Sequence, residues 1–124
     1  MNEKSVSVIA DGFQAALRVR KATFAAEVRR DILINRAVAE AKGSEEERTI
    51  AYVLHPRAVC AVDAESVIIY PDNVSVYAEA MTARQFGELP PEIAEAWLEA
   101  VWELNPRWVP GYGTQIAPEQ EKKA

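Results

Sequence analysis

Few side chains in this 124-residue chain are equipped for bond chemistry, and their spacing does not bring them together. The single histidine, His55, stands before Pro56, and a general base needs a nucleophile or acid beside it that the local sequence does not supply. Cys60 lies within Ala58-Val59-Cys60-Ala61-Val62 and reads as a small buried hydrophobe. One cysteine excludes an internal disulfide, and with one histidine it cannot make a zinc site alone. Asp63 and Glu65 are too close in sequence to be judged a catalytic pair. The glycines Gly12, Gly43, Gly87, Gly111 and Gly113 are scattered, and none opens a helix as a phosphate cradle does. The expectation is a protein without catalytic residues, cofactor or metal, which acts by binding.

Two segments could bind. From Pro91 to Leu104 the spacing predicts a helix that is apolar around most of its circumference, more than the roughly 100° arc needed to dock on a core. Ile93, Trp97, Val101 and Leu104 can fill the docking role. Leu98 and Trp102 then fall on a flank, with Trp108 just beyond the helix, and tryptophan is enriched at binding hot spots. Glu92, Glu95, Glu99 and Glu103 form a stripe with no basic residue in it, suited to the rim of a groove for an amphipathic helix or to keeping the surface from aggregating. The competing reading puts all three tryptophans in the core of a helix wedged between two layers. The candidate partner-binding residues are therefore Leu98, Trp102, Trp108, Glu95 and Glu99.

The second segment is basic. Arg18, Arg20, Lys21, Arg29 and Arg30 fall within thirteen residues, a patch for self-association or for an anionic partner such as nucleic acid. Residues 1–42 carry eight basic groups against five acids, and the remainder six against fourteen, so a head of +3 precedes a body of −8 within a net charge of −5. Copies of such a chain can attract one another head to tail. The overall acidity argues against nucleic acid, as does the lack of a helix-turn-helix, zinc knuckle or aromatic RNA-binding motif.

The elements that position these residues read as an α+β domain, mostly helical, over 1–106. Alternating runs at 5–10 and 13–20 around Asp11-Gly12 predict a β-hairpin. Thr23 can cap a helix over 23–42, ended by Gly43. Its apolar residues fall on two faces, Phe24, Val28, Ile32 and Ala39 on one and Ala26, Leu33, Ile34, Ala37 and Ala41 on another, the pattern of a helix sandwiched by other elements or by a partner. Ser44 and Glu47 fit a capping box for a helix over 45–54, where His55-Pro56 disfavours continuation, and Arg57 to Asp63 reads equally as another helical turn or as a strand. A second short hairpin is expected at 65–79, then helices at 82–88, capped by Thr82, and at 91–104, with Pro91 at its first position. Residues 107–124 read as a flexible tail. Val6–Ala10 is too brief for the apolar region of a signal peptide, and no uncharged run is long enough to cross a membrane.

The order of these motifs is similar to that of the tail assembly chaperones of long-tailed bacteriophages. The resemblance rests on Leu17–Arg36 with its strand and Thr-Phe helix start, on Ile50-Ala51-Tyr52-Val53-Leu54-His55-Pro56, and on Thr82–Pro90. It closes with Ala96–Val101 and Leu104-Asn105-Pro106-Arg107-Trp108. It spans most of residues 13–109 and implies a non-enzymatic assembly factor that works in the cytoplasm of the bacterial host and leaves the finished virion. Such a factor binds the long, aggregation-prone tape measure protein and helps tail tube subunits assemble around it, in many copies and hence as a homo-oligomer. Without the resemblance two other readings stand: a small nucleic-acid-binding regulator using the basic residues, and a homo-oligomeric structural component with no client. The family is often made in two lengths through a programmed backward ribosomal frameshift. The expected slip site is an A-AAA-AAG run at the codons of Lys122 and Lys123, and AAG AAA at those codons in the gene would remove it.

Overall fold

The computed structural model describes residues 2–111. Strands β1 (Glu3–Ala10) and β2 (Phe13–Arg20) form the expected hairpin, with Ala10 opposite Phe13. Asp11 and Gly12 both take positive φ, 50° and 84°, the two-residue turn whose twist matches that of the strands. The second hairpin, β3 (Val67–Ile69) and β4 (Ser75–Tyr77), turns through Asn73 at φ 69°. Its first strand adds to β2, so both hairpins form one antiparallel sheet in the order β1-β2-β3-β4.

The alternation of β1 and β2 gives that sheet two unlike faces. Val6, Ala15, Leu17, Val19 and Ile68 are buried on one, whereas Ser5, Ser7, Ile9, Gln14, Ala16, Arg18 and Arg20 are exposed on the other. Helix α5 (Pro91–Leu104) lies on the apolar face against β1 and β2. It buries Ile93, Trp97, Ala100, Val101 and Leu104, which recur at the three- and four-residue steps that keep one helix face inward. Trp97 is fully enclosed. Its ring meets Phe86 edge-on at 5.1 Å between centroids, and its indole N–H donates to the Ala58 carbonyl at 3.2 Å. The expected helix at 82–88 is α4, Ala83–Gly87, with a full capping box between Thr82 and Gln85.

Four features depart from the sequence expectations. The helix from Ser44 does not stop at His55-Pro56. Glu45–Arg48 (α2) runs into a π-helical stretch, Thr49–Leu54, and then into α3, His55–Cys60. Pro56 has no N–H for the carbonyl of Tyr52, one turn earlier, and the Arg57 guanidinium takes that role by donating to the carbonyls of Tyr52 and Val53 at 3.3 and 2.6 Å. Of the expected capping box at Ser44, the hydroxyl accepts from the Glu47 N–H, while the Glu47 side chain folds over Gly43, where a Cβ would collide with it.

The helix after Thr23, α1 (Phe24–Glu40), ends at an extended Ala41 and not at a left-handed Gly43. None of its residues is buried, so the elements of its own domain do not cover both of its apolar faces; the helix around which the core forms is α5. Finally, the folded unit continues past residue 106. Pro106–Trp108 forms a 3-10 turn that buries Trp108, and the rest of the expected tail, from residue 112, lies outside the described residues.

Asn105 holds the C-terminal end of α5 to the sheet. Its Oδ1 accepts from the Ala22 N–H at 2.7 Å, and its Nδ2 donates to the carbonyls of Arg20 and Val101 at 2.9 and 3.3 Å. At the crossing from α3 to β3, Asp63 Oδ1 accepts from the Glu65 N–H and the Ser66 hydroxyl, and Arg18 faces its other oxygen at 3.3 Å. Replacing Trp97 with Ala removes the largest enclosed side chain and should cost about 3–5 kcal/mol, measured as a lower denaturant midpoint. A loss below about 1 kcal/mol would mean that the ring is not central to the core.

Candidate protein-binding site

The groups with chemical potential are each held in structural roles. His55 donates Nε2–H to the Met81 carbonyl at 2.6 Å and lies edge-on to Phe86. Cys60 is buried, and burial pushes its thiol pKa up, away from reactivity. Asp63 serves the turn described above. Among the described residues no three His, Cys, Asp or Glu side chains are grouped to hold a metal ion, and no helix is long and apolar enough to cross a membrane.

On α5 the fold separates residues that the sequence could not. Trp97 and Trp108 are enclosed, whereas Leu98 and Trp102 are half-buried on the flank of the helix, packed against the core by one side only. The burial of Trp108 has a specific cause. Its indole N–H donates to Glu27 Oε2 at 3.2 Å, Arg107 donates to the same oxygen, and the Arg30 guanidinium lies 4.6 Å over the ring, a cation–π contact. Its indole is therefore committed to α1. Nothing local foretells this, because Glu27 and Arg30 stand about eighty residues earlier.

Glu92, Glu95, Glu99 and Glu103 are all exposed. The stripe is not wholly unpaired, because Lys4 of β1 reaches Glu103 at 2.6 Å. Glu95 and Glu99 remain beside Leu98 and Trp102 over about two turns of helix, with no ion pair among the described residues. An apolar pair at i, i+4 bordered by carboxylates suits an amphipathic helix that brings its own cations.

The basic residues are not gathered into one patch. Arg18 faces Asp63 and Glu3 from the open side of the sheet, where Arg20 also lies. Arg30 is taken up by Trp108 and Asp31, and Arg29 donates to the Glu79 carbonyl. Lys21 is exposed at the strand end. A larger apolar exposure lies on α1, outside the candidate residues named from the sequence. Phe24, Val28, Ile32 and Val38 of α1 are four of the seven large apolar side chains exposed among the described residues. The signal was present, since Phe24, Val28 and Ile32 share a face, but sequence cannot say which of a helix's two apolar faces finds a neighbour.

A scan against family models, a search of curated proteins and a search of solved structures each return no match.

One titration follows from the site's surroundings. Burial holds the His55 pKa below its ordinary value of 6.5, against the smaller opposing effect of its bond to Met81, with Arg29 nearby lowering it further. The unfolded chain therefore binds a proton that the folded chain refuses, and stability rises with pH through this range. Stability should be full above about pH 6.5 and decline as the pH falls from there towards the lowered folded value. Thermal melts across mildly acidic buffers measure this, and His55→Gln should flatten the slope.

Proposed function

We propose that this chain is a non-enzymatic tail assembly chaperone of long-tailed bacteriophages, which binds and solubilises the tape measure protein and promotes tail tube assembly. The observation that carries the reading is the Leu98–Trp102 flank of α5, left half-exposed beside Glu95 and Glu99 after the same helix has buried five residues in the core. Apolar side chains carried on a formed helix are suited to holding another helix, because the backbone beneath them does not have to be ordered when it docks. The motif order shared with tail assembly chaperones supplies the identity of the client, a long helical protein prone to aggregate. Its place of action would be the host cytoplasm, before the virion is complete.

The flank defines the mechanism. A client helix laid along α5 would cover Leu98 and Trp102 and exchange its own water-exposed apolar stripe for theirs. Glu95 and Glu99 at the rim would favour a client face bordered by Lys or Arg, and would reject acidic segments. Release needs no chemistry: tube subunits that cover the same client stripe compete the chaperone away by mass action.

Co-expression with the tape measure protein tests the reading. The variant L98Q/W102Q should lose soluble client, with capture weakened roughly 30-fold or more for loss of two hot-spot side chains, while near-ultraviolet dichroism shows a retained fold. A folded double variant that still keeps the client soluble sinks the proposal. Capture by the native chain should also persist as salt is raised, in contrast to the steep loss expected of phosphate binding.

A further inference from the structure

We infer that the outer face of α1 pairs with the same face of a second copy of this chain, the two helices running parallel and in register. The face is defined by spacing. Ala25, Val28, Ile32, Asn35 and Ala39 recur in alternating steps of three and four residues, the seam of a coiled coil. Phe24, Asp31 and Val38 stand one residue before seam positions on one border, and Arg29 and Arg36 one residue after seam positions on the other. All ten are exposed, with Phe24 at 81%, Val28 at 42%, Ile32 at 50% and Val38 at 57%. Ala26, Glu27, Arg30, Leu33, Ile34 and Ala37, the half-buried residues on the opposite side, lean onto the body of the domain. The seam therefore points directly away from the protein's own mass and leaves room for another copy.

Charge selects both the occupant and the orientation. In a parallel pair the residue before the seam faces the residue five positions later on the other helix. Asp31 then meets Arg36, and the two-fold repeats the contact, while Phe24 stands opposite the methylene stem of Arg29, whose guanidinium donates to the Glu79 carbonyl of its own subunit. An antiparallel pair would instead set each border against itself, with Arg29 and Arg36 facing the arginines of the other copy. Asn35 lies in the seam, where a polar residue matched with its own copy fixes register at some cost in strength. No ion pair engages Arg36 among the described residues, and Asp31, held by Arg30 at 2.9 Å, keeps 60% of its side chain exposed. Because α1 is already folded against the domain, pairing does not have to order it. Two heptads make a small interface, so the dimer should be reversible, with a Kd of roughly micromolar order.

This pairing is independent of client capture, which uses α5, and its test contains no client. Sedimentation of the full chain over a concentration series should show a reversible monomer–dimer equilibrium. V28K/I32K should be monomeric with an unchanged melting temperature, since both side chains are exposed in the single subunit. The reversals D31R and R36D should each weaken the dimer about fivefold, and the combination D31R/R36D should restore it, because the parallel pair merely exchanges the two charges. A native chain that stays monomeric throughout overturns the inference. So does a V28K/I32K dimer of native strength, or a combined reversal that fails to recover association.

Discussion

The enclosure of Trp97 is the constraint on which the rest of the molecule depends. The ring sits where the apolar face of the sheet, α3 and α4 converge on α5, and it is both the largest fully buried side chain and a hydrogen-bond donor to the α3 backbone. A ring of that size can be surrounded only if several elements approach from different sides. The four-strand sheet supplies one wall. The continuous passage from α2 through α3 supplies another, and there Arg57 donates both to the Tyr52 carbonyl that Pro56 leaves without a partner and to its neighbour at Val53.

Once those walls are built, little core remains for anything else. A sheet covered on one face by one principal helix has a small interior, and a domain of this length buries a limited share of its surface. Helix α1 therefore attaches by one side, with none of its residues buried, and its contact with the C-terminal turn goes through Glu27, Arg30 and Trp108 and not through apolar packing. The apolar residues on its other side are surplus to the monomer. The same accounting applies on a smaller scale to Leu98 and Trp102. Both surfaces lie on rigid helices, which separates a binding protein of this design from one that must order a loop to engage its partner.

Much of the fold was legible because its signals are local. Asp11-Gly12 between alternating runs marks a hairpin whatever surrounds it, Thr23, Ser44 and Thr82 cap helices through atoms three residues away, and Pro91 begins α5. The inward face of α5 was legible for the same reason, since Ile93, Trp97, Val101 and Leu104 fall on one side by helix geometry alone. The misreadings occur where a distant group intervenes. The break expected at Pro56 is cancelled by a side chain, the acidic stripe is partly neutralised by Lys4 ninety-nine residues away, and the tail expected after Pro106 is drawn in by Glu27. The candidate site divides in the same way: Leu98 and Trp102 keep an open side, and Trp108 does not.

Period, capping chemistry and turn residues, all properties of short stretches of chain, determined which segments became strands and helices and placed their apolar sides. The choice among those sides belonged to the tertiary structure. Burial is a property of the assembled neighbourhood, and a helix with two greasy faces and one available core must leave one of them in water. That the Phe24–Val28–Ile32 side of α1 is left out in full, and the Leu98–Trp102 flank of α5 only in part, was settled by where the sheet and Trp97 came to rest.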